Sequence, residues 1–110
     1  MARSQLLIEG FAPDELLALA RRTSLLPLFS GKPVAVTYGR ATLLGGIRKR
    51  RGRLIVEVAA VQGAAARALL ALMALTRRIA ALRGVRTLEW RMPNRRPKVE
   101  RLATGSRARA

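Results

Sequence analysis

The chain has 110 residues, of which 50% are hydrophobic, so it is long and apolar enough to form one domain with a modest core. Its 22 basic and 6 acidic residues give a net charge of +16, an imbalance that favours an anionic partner, nucleic acid first. The absence of Cys and His excludes disulfides, the usual zinc sites, thiol nucleophiles and histidine bases, and it predicts a noncatalytic protein with no metal and no cofactor.

A strand and a helix are predicted at the start of the chain. Apolar residues alternate over residues 5–11, which is typical of a half-buried strand. Pro13, followed by two acidic residues, fits the first turn of a helix that ends at an arginine pair, residues 21–22. Residues 27–33 contain two prolines and a glycine and are predicted to form a connection.

Two further strands are predicted on either side of a basic cluster. The segment VAVTYGRATLLGG, residues 34–46, predicts a second strand with a bend at Gly39. Residues 54–58 alternate as a third strand, and five of the six residues before it, 48–53, are basic. Gly52 fits the turn that begins this strand, whereas residues 45–46, a glycine pair, are the alternative hairpin turn.

The second half of the chain predicts a long helix, a strand and a tail. Residues 64–83 contain neither Pro nor Gly and are rich in Ala, Leu and Arg, so they predict a helix. This helix is apolar nearly all round, which favours a second buried surface in a dimer or larger assembly; the alternative is that alanine on the outer face reflects helix propensity alone. The candidate contact residues are Leu70 and Ala74 on the helix, with Leu7 and Ile55 on the sheet. Residues 85–92 predict the fourth strand, with Trp90 in the core, and residues 94–110 predict a basic, flexible tail.

The element order β-α-β-β-α-β predicts an α+β, ferredoxin-like domain over residues 1–93. Its four-stranded antiparallel sheet is expected in the order 4-1-3-2, with both helices on one face. The cationic side chains that reach phosphate in this arrangement lie on the hairpin loop and the tail. They are Arg48, Lys49, Arg50, Arg51, Arg53, Arg95, Arg96, Lys98 and Arg101.

The predicted order is similar to that of RNA-recognition motifs. LLIEGF at residues 6–11 and RGRLIVEV at residues 51–58 resemble the two signatures of that family. The family's aromatic stacking positions fall here on Leu7, Arg53 and Ile55, so stacking of bases on aromatic rings is not implied.

A second resemblance is to the small dimerising subunit of the KEOPS tRNA-modification complex. It covers roughly residues 52–80, a strand, a short link and a long apolar helix. The resemblance implies a noncatalytic scaffold that pairs with itself, binds an enzyme subunit and helps to hold tRNA.

Three glutamates give an alternative. Glu9, Glu57 and Glu89 are expected on one exposed face of the sheet, as in carboxylate metal sites, but Arg53 and Arg91 share that face and can pair with them. The preferred prediction is therefore a noncatalytic RNA-binding or RNA-scaffolding protein, with DNA binding close behind. A structural subunit that binds an acidic protein is the alternative from a different class.

The location of the protein is predicted from what the sequence lacks. Glu9 interrupts the short apolar run of residues 6–8, so the pattern of a signal peptide is missing. No uncharged segment is longer than that of residues 68–76, which is too short to cross a bilayer. Together with the lack of Cys, these features predict a cytoplasmic protein without membrane contact.

Overall fold

The computed structural model describes residues 5–102, which form a six-stranded mixed sheet and three helices. The elements in chain order are β1 (Leu6–Ile8), α1 (Pro13–Ala20), α2 (Leu26–Phe29), β2 (Val34–Tyr38), β3 (Ala41–Arg50), β4 (Arg53–Gln62), α3 (Ala66–Leu82), β5 (Thr87–Arg91) and β6 (Lys98–Arg101). The strands lie side by side in their sequence order. Neighbours are antiparallel except β4 and β5, which are parallel because α3 crosses between them.

The predicted ferredoxin-like fold is wrong, although the α+β class is retained. The first strand lies at the edge of the sheet rather than in its centre, and the sheet has six strands in mixed orientation instead of four antiparallel ones. The main cause is the segment 34–46, which was predicted as one bent strand. Tyr38 pairs with Ala41 across a two-residue turn, so this segment contributes to two strands, β2 and β3.

The hairpin of β3 and β4 is closed by the turn at Arg51 and Gly52. Both residues have positive φ, 53° and 76°, as a type I′ turn requires, and Arg50 pairs with Arg53 across it. The glycine pair at residues 45–46 lies inside β3, so the alternative turn position is wrong. A bulge occurs at this point: two residues of β3, Leu44 and Gly45, lie opposite three residues of β4, 58–60.

All three helices pack against one face of the sheet. Pro13 begins α1, and the Glu15 carboxylate accepts the Ala12 amide at 2.8 Å, which satisfies one free donor at the helix start. The core between helices and sheet includes Leu16, Leu43 and Trp90, each with at most 2% of its surface exposed. The prediction that Trp90 belongs to the core is confirmed. None of the helices within residues 5–102 is long and apolar enough to span a membrane.

Strand β6 lies within the segment that was predicted as a tail. Residues 98–101 pair with β5, and Glu100 fixes the strand to α3 by accepting Arg77 Nε at 2.6 Å and Nη2 at 3.1 Å. Trp90 Nε1 donates to the same carboxylate at 3.2 Å. Four residues of the predicted tail are therefore part of the sheet, while residues 103–110 lie outside the described part of the chain.

Candidate nucleic-acid interface

Five arginines share the face of the sheet that is opposite the helices. Side chains alternate between the two faces along each strand, and the strand register places the arginines in rows across β3 to β6. One row contains Arg50, Arg53, Thr87 and Arg101; the next contains Arg48, Ile55, Glu89 and Val99; the third contains Gly46, Glu57 and Arg91. We call Arg48, Arg50, Arg53, Arg91 and Arg101 the arginine face.

The spacing of the arginine face follows from the geometry of the sheet. Strands lie about 4.8 Å apart, so the four strands span about 14 Å, and alternate residues on a strand are about 7 Å apart. An arginine side chain is long enough to bring its guanidinium group close to that of a neighbouring position at these spacings. A single extended anionic chain crossing the face can therefore contact several guanidinium groups at once.

Glu89 orders two of the five arginines. Its carboxylate accepts Arg53 Nη1 at 2.7 Å with one oxygen and Arg91 Nε with the other. The residue is only 5% exposed, although no helix of the described residues covers this face. Hydrogen bonds from Arg53 and then from Arg91 hold the pKa of Glu89 below its ordinary value, against the opposing effect of its desolvation.

This arrangement leaves guanidinium donors available for a ligand. An arginine has five N–H donors in a rigid fork, and Arg53 and Arg91 each present a single donor to Glu89 in the hydrogen bonds of the structure. Their side chains are 44% and 40% exposed. Glu89 therefore neutralises part of the positive charge but also fixes the orientation of two guanidinium groups, those of Arg53 and Arg91, that are able to bind phosphate.

Ile55 lies beneath the arginine face. It is 4% exposed, and its neighbours on the adjacent strands are Arg48 and Glu89. Because the helices are on the other side, the aliphatic stems of the surrounding long side chains are the groups that can bury it. Ile55 thus provides an apolar surface on which the stems of the neighbouring long side chains can pack.

The predicted contact residues for self-association lie on separate surfaces. Leu7 is half-buried on the edge strand β1, on the same face as the arginines but far along the sheet from them. Leu70 is 67% exposed on α3, and Ala74 is exposed one turn further along that helix. The structure therefore brings Leu70 and Ala74 together and separates them from Leu7 and Ile55.

The nine predicted phosphate-binding residues are also divided by the fold. Arg48, Arg50, Arg53 and Arg101 meet on the arginine face. Arg51 lies in the turn at its end. The other four lie elsewhere: Lys49 and Lys98 alternate to the helix side, and Arg95 and Arg96 lie in the loop that joins β5 to β6, at the end of those strands remote from the hairpin turn.

Arg91 belongs to the site but was not among the predicted binding residues. The alternation of Thr87, Glu89 and Arg91 predicts an outward position for Arg91, but only as a partner for a glutamate. The parallel pairing of β4 with β5, which the sequence did not predict, is what places it beside Glu57 and near Arg53.

The three glutamates do not form a common site. Glu9 lies just after β1, where its carboxylate accepts the Ala35 amide at 2.6 Å, and β2 and β3 separate it from Glu57. Glu57 and Glu89 lie on adjacent strands, but both oxygens of Glu89 are bound to arginines. Residues 5–102 contain no group of three His, Cys, Asp or Glu side chains able to hold a metal ion.

Comparison of the chain with protein families, with curated proteins and with solved structures finds no match. The resemblances to RNA-recognition motifs and to the KEOPS subunit therefore stay predictions from the residues alone.

Proposed function

We propose that the protein is a noncatalytic RNA-binding or RNA-scaffolding protein that contacts the phosphate backbone with its arginine face. The observation that carries this proposal is the convergence of five arginines on one uncovered surface, two of them oriented by a nearly buried glutamate. The net charge of +16 supports it, because bound phosphates would relieve the repulsion among the arginines.

The shape of the site favours RNA over duplex DNA. A two-stranded ribbon enters the DNA major groove, but β5 flanks the β3–β4 hairpin as far as Arg53, so only the turn at Arg51 and Gly52 projects. A broad face suits a single strand or the wide, shallow minor groove of an RNA helix.

Binding is expected to tolerate many sequences. The chain has four aromatic residues, and none of them lies on the arginine face: Trp90 and Tyr38 alternate to the helix side, while Phe11 and Phe29 pack edge to face, 6.3 Å apart. Bases can therefore stack only on guanidinium planes, and most contacts fall on phosphate.

The first prediction concerns the salt dependence of RNA binding. Within residues 5–102, Arg48, Arg50 and Arg101 form no ion pair, so replacing all three with Gln should leave the fold intact. Fluorescence anisotropy with an oligouridylate of about 12 nucleotides measures the affinity at several salt concentrations. The triple variant should bind more weakly, and the slope of log affinity against log salt should become shallower by about 2, or about 0.7 per lost phosphate contact.

A matched control removes the same charge elsewhere. Arg21, Arg22 and Arg78 are exposed on the helix layer, and their replacement with Gln should change affinity and slope much less. An equal loss in both variants would mean that net charge alone attracts RNA, which contradicts the proposal. Tighter binding to duplex DNA than to RNA would mean that DNA is the ligand. Stronger competition by polyglutamate than by RNA would favour an acidic protein partner.

A further inference from the structure

A cavity of about 250 Å³ lies on the helix side of the sheet, away from the arginine face. It is bounded by α1, α2, the second half of α3 and strands β1 to β4, with apolar walls that include Phe29, Val36, Leu54 and Ala80. An apolar cavity of about 150 Å³ holds benzene, so by proportion this one accommodates a body of about ten carbon atoms. Protein interiors are close-packed, so an apolar recess of this size beside the core is a candidate ligand site.

The two side-chain hydroxyl groups in the cavity walls already take part in hydrogen bonds. Thr76 Oγ1 donates to the carbonyl of Leu72 at 2.7 Å, and Ser24 Oγ accepts the amide of Leu26 at 3.2 Å. A ligand inside therefore gains little from polar groups of its own, and its buried part is expected to be apolar.

The charged residues that line the cavity are Lys49, Glu57 and Arg83. Lys49 and Arg83 are exposed, and their ammonium and guanidinium groups can reach the solvent side of the cavity. Arg83 Nη1 donates to the carbonyl of Ala20 at 3.3 Å, which leaves its other donors available. The alternation along β4 turns the carboxylate of Glu57 to the opposite face of the sheet.

We propose that this cavity binds a small amphiphile with an apolar body of about ten carbon atoms and one anionic head group. The apolar walls take up the body, and Lys49 and Arg83 bind the head group at the rim. The site is separate from the arginine face and does not depend on RNA binding.

Three ligands with the same ten-carbon chain and different head groups test the proposal. Decanoate, 1-decanol and decylamine, each below the concentration at which it aggregates, are titrated calorimetrically into the full-length protein. Decanoate should bind at least about tenfold more tightly than decanol, because two exposed cations contact its head group, and decylamine should bind most weakly. Equal affinity for decanoate and decanol, or no binding of either, would overturn the proposal.

Charge variants distinguish the site from general attraction to a basic protein. Arg83→Gln and Lys49→Gln should each lower decanoate affinity by about fivefold and leave decanol binding unchanged. Arg78→Gln and Lys32→Gln remove the same charge from exposed positions that do not line the cavity, and should have little effect. The same loss in all four variants would show that only the net charge attracts decanoate.

A space-filling variant locates the apolar body. Val85 is half-buried and lines the cavity, so Val85→Phe should occupy part of it and weaken all three ligands. Leu70→Phe, on the exposed side of α3, is the control. If Val85→Phe disturbs folding, the variants of Lys49 and Arg83 still test the proposal, because both residues are exposed and their substitution should leave the fold intact. Unchanged decanoate binding in a folded Val85→Phe protein would place the ligand elsewhere and refute this cavity as its site.

Discussion

Two neighbouring glycines of β3 differ sharply in the space around them. A Cβ atom on Gly45 would lie 1.8 Å from the carbonyl oxygen of Glu57, which belongs to the backbone of β4 and cannot turn aside. A Cβ atom on Gly46 would meet its nearest atom, the carbonyl oxygen of Lys32, at 3.8 Å, an ordinary contact. The bulge between β3 and β4 therefore requires glycine at position 45 and tolerates other residues at position 46.

Substitution of the two glycines tests this difference. Gly45→Ala should lower the free energy of unfolding by at least about 3 kcal/mol, because the strands must separate to admit the methyl group. Gly46→Ala should change it by less than about 1 kcal/mol and can raise it by restricting the unfolded chain. Urea unfolding followed by circular dichroism measures both. Similar stability of the two variants would contradict the close approach of Gly45 to Glu57.

At the scale of elements, β6 depends on a single carboxylate for its attachment to α3. Hydrogen bonds from Arg77, with a smaller contribution from Trp90, hold the pKa of Glu100 below its ordinary value, although desolvation acts in the opposite direction. Glu89 has a pKa lowered in the same sense by Arg53 and Arg91. Folding therefore favours the deprotonated form of both groups, and protonation weakens the folded state.

The pH dependence of stability follows from these directions. The contribution of Glu100 is fully present above the pKa of the unfolded carboxyl, with an ordinary value of 4.5, and is lost as the pH falls through the lower folded value. Glu100→Gln should cost about 1 to 2 kcal/mol at pH 7, and its difference from the wild type should shrink as the pH falls below about 4.5. Urea unfolding at a series of pH values measures this difference.

The control for this prediction is Glu57→Gln. Glu57 is exposed and forms no ion pair within residues 5–102, so this variant should change stability by less than about 0.5 kcal/mol at pH 7. Wild-type stability of Glu100→Gln at pH 7 would mean that Arg77 and Trp90 do not hold β6 in place.

Elements with a strong local pattern were predictable from the sequence, and their pairing was not. The start of α1 at Pro13 and the extent of α3 within residues 64–83 followed from residue types that favour helix. The hairpin of β2 and β3 was missed because apolar alternation continues on both sides of a turn of only two residues, 39–40. Strand β6 was missed because its four residues include three charged ones, and a tertiary contact, that of Glu100 with α3, stabilises it.

The candidate site was predictable in part for the same reason. The cationic cluster of residues 48–53 and its turn at Gly52 were visible in the sequence, as was the outward alternation of Glu89 and Arg91. The parallel pairing of β4 with β5 joins residues that are far apart in the chain, and no local pattern reports it. The role of Glu89 in orienting Arg53 and Arg91 therefore emerged only from the three-dimensional arrangement.

At the scale of the whole molecule, self-association remains a prediction that rests on α3. Leu70 and Ala74 are exposed on the outer side of this helix, which suits a contact between two copies. The net charge of +16 opposes such a contact by repulsion, so salt should strengthen the dimer, the opposite of its expected effect on the proposed RNA binding.

Light scattering over a range of salt concentrations tests this prediction. The wild type should form a dimer or larger assembly at tens of micromolar in moderate salt, and Leu70→Glu should shift it towards monomer without loss of folding. Leu28→Glu introduces the same charge at an exposed leucine of α2 and serves as the control. A wild type that stays monomeric at every salt concentration would contradict the prediction.

The arginine face forms in two stages, because β5 and β6 come later in the chain than the hairpin of β3 and β4 that they join. During synthesis from the N-terminus, strands β2 to β4 can form a local meander as soon as residue 62 has left the ribosome. The hairpin arginines are then exposed before residues 87–101 exist, without Glu89 to orient Arg53 and without β6 to complete the row. A nascent chain therefore presents a loose cationic hairpin first, and the arginine face is complete only when the last two strands have joined the sheet.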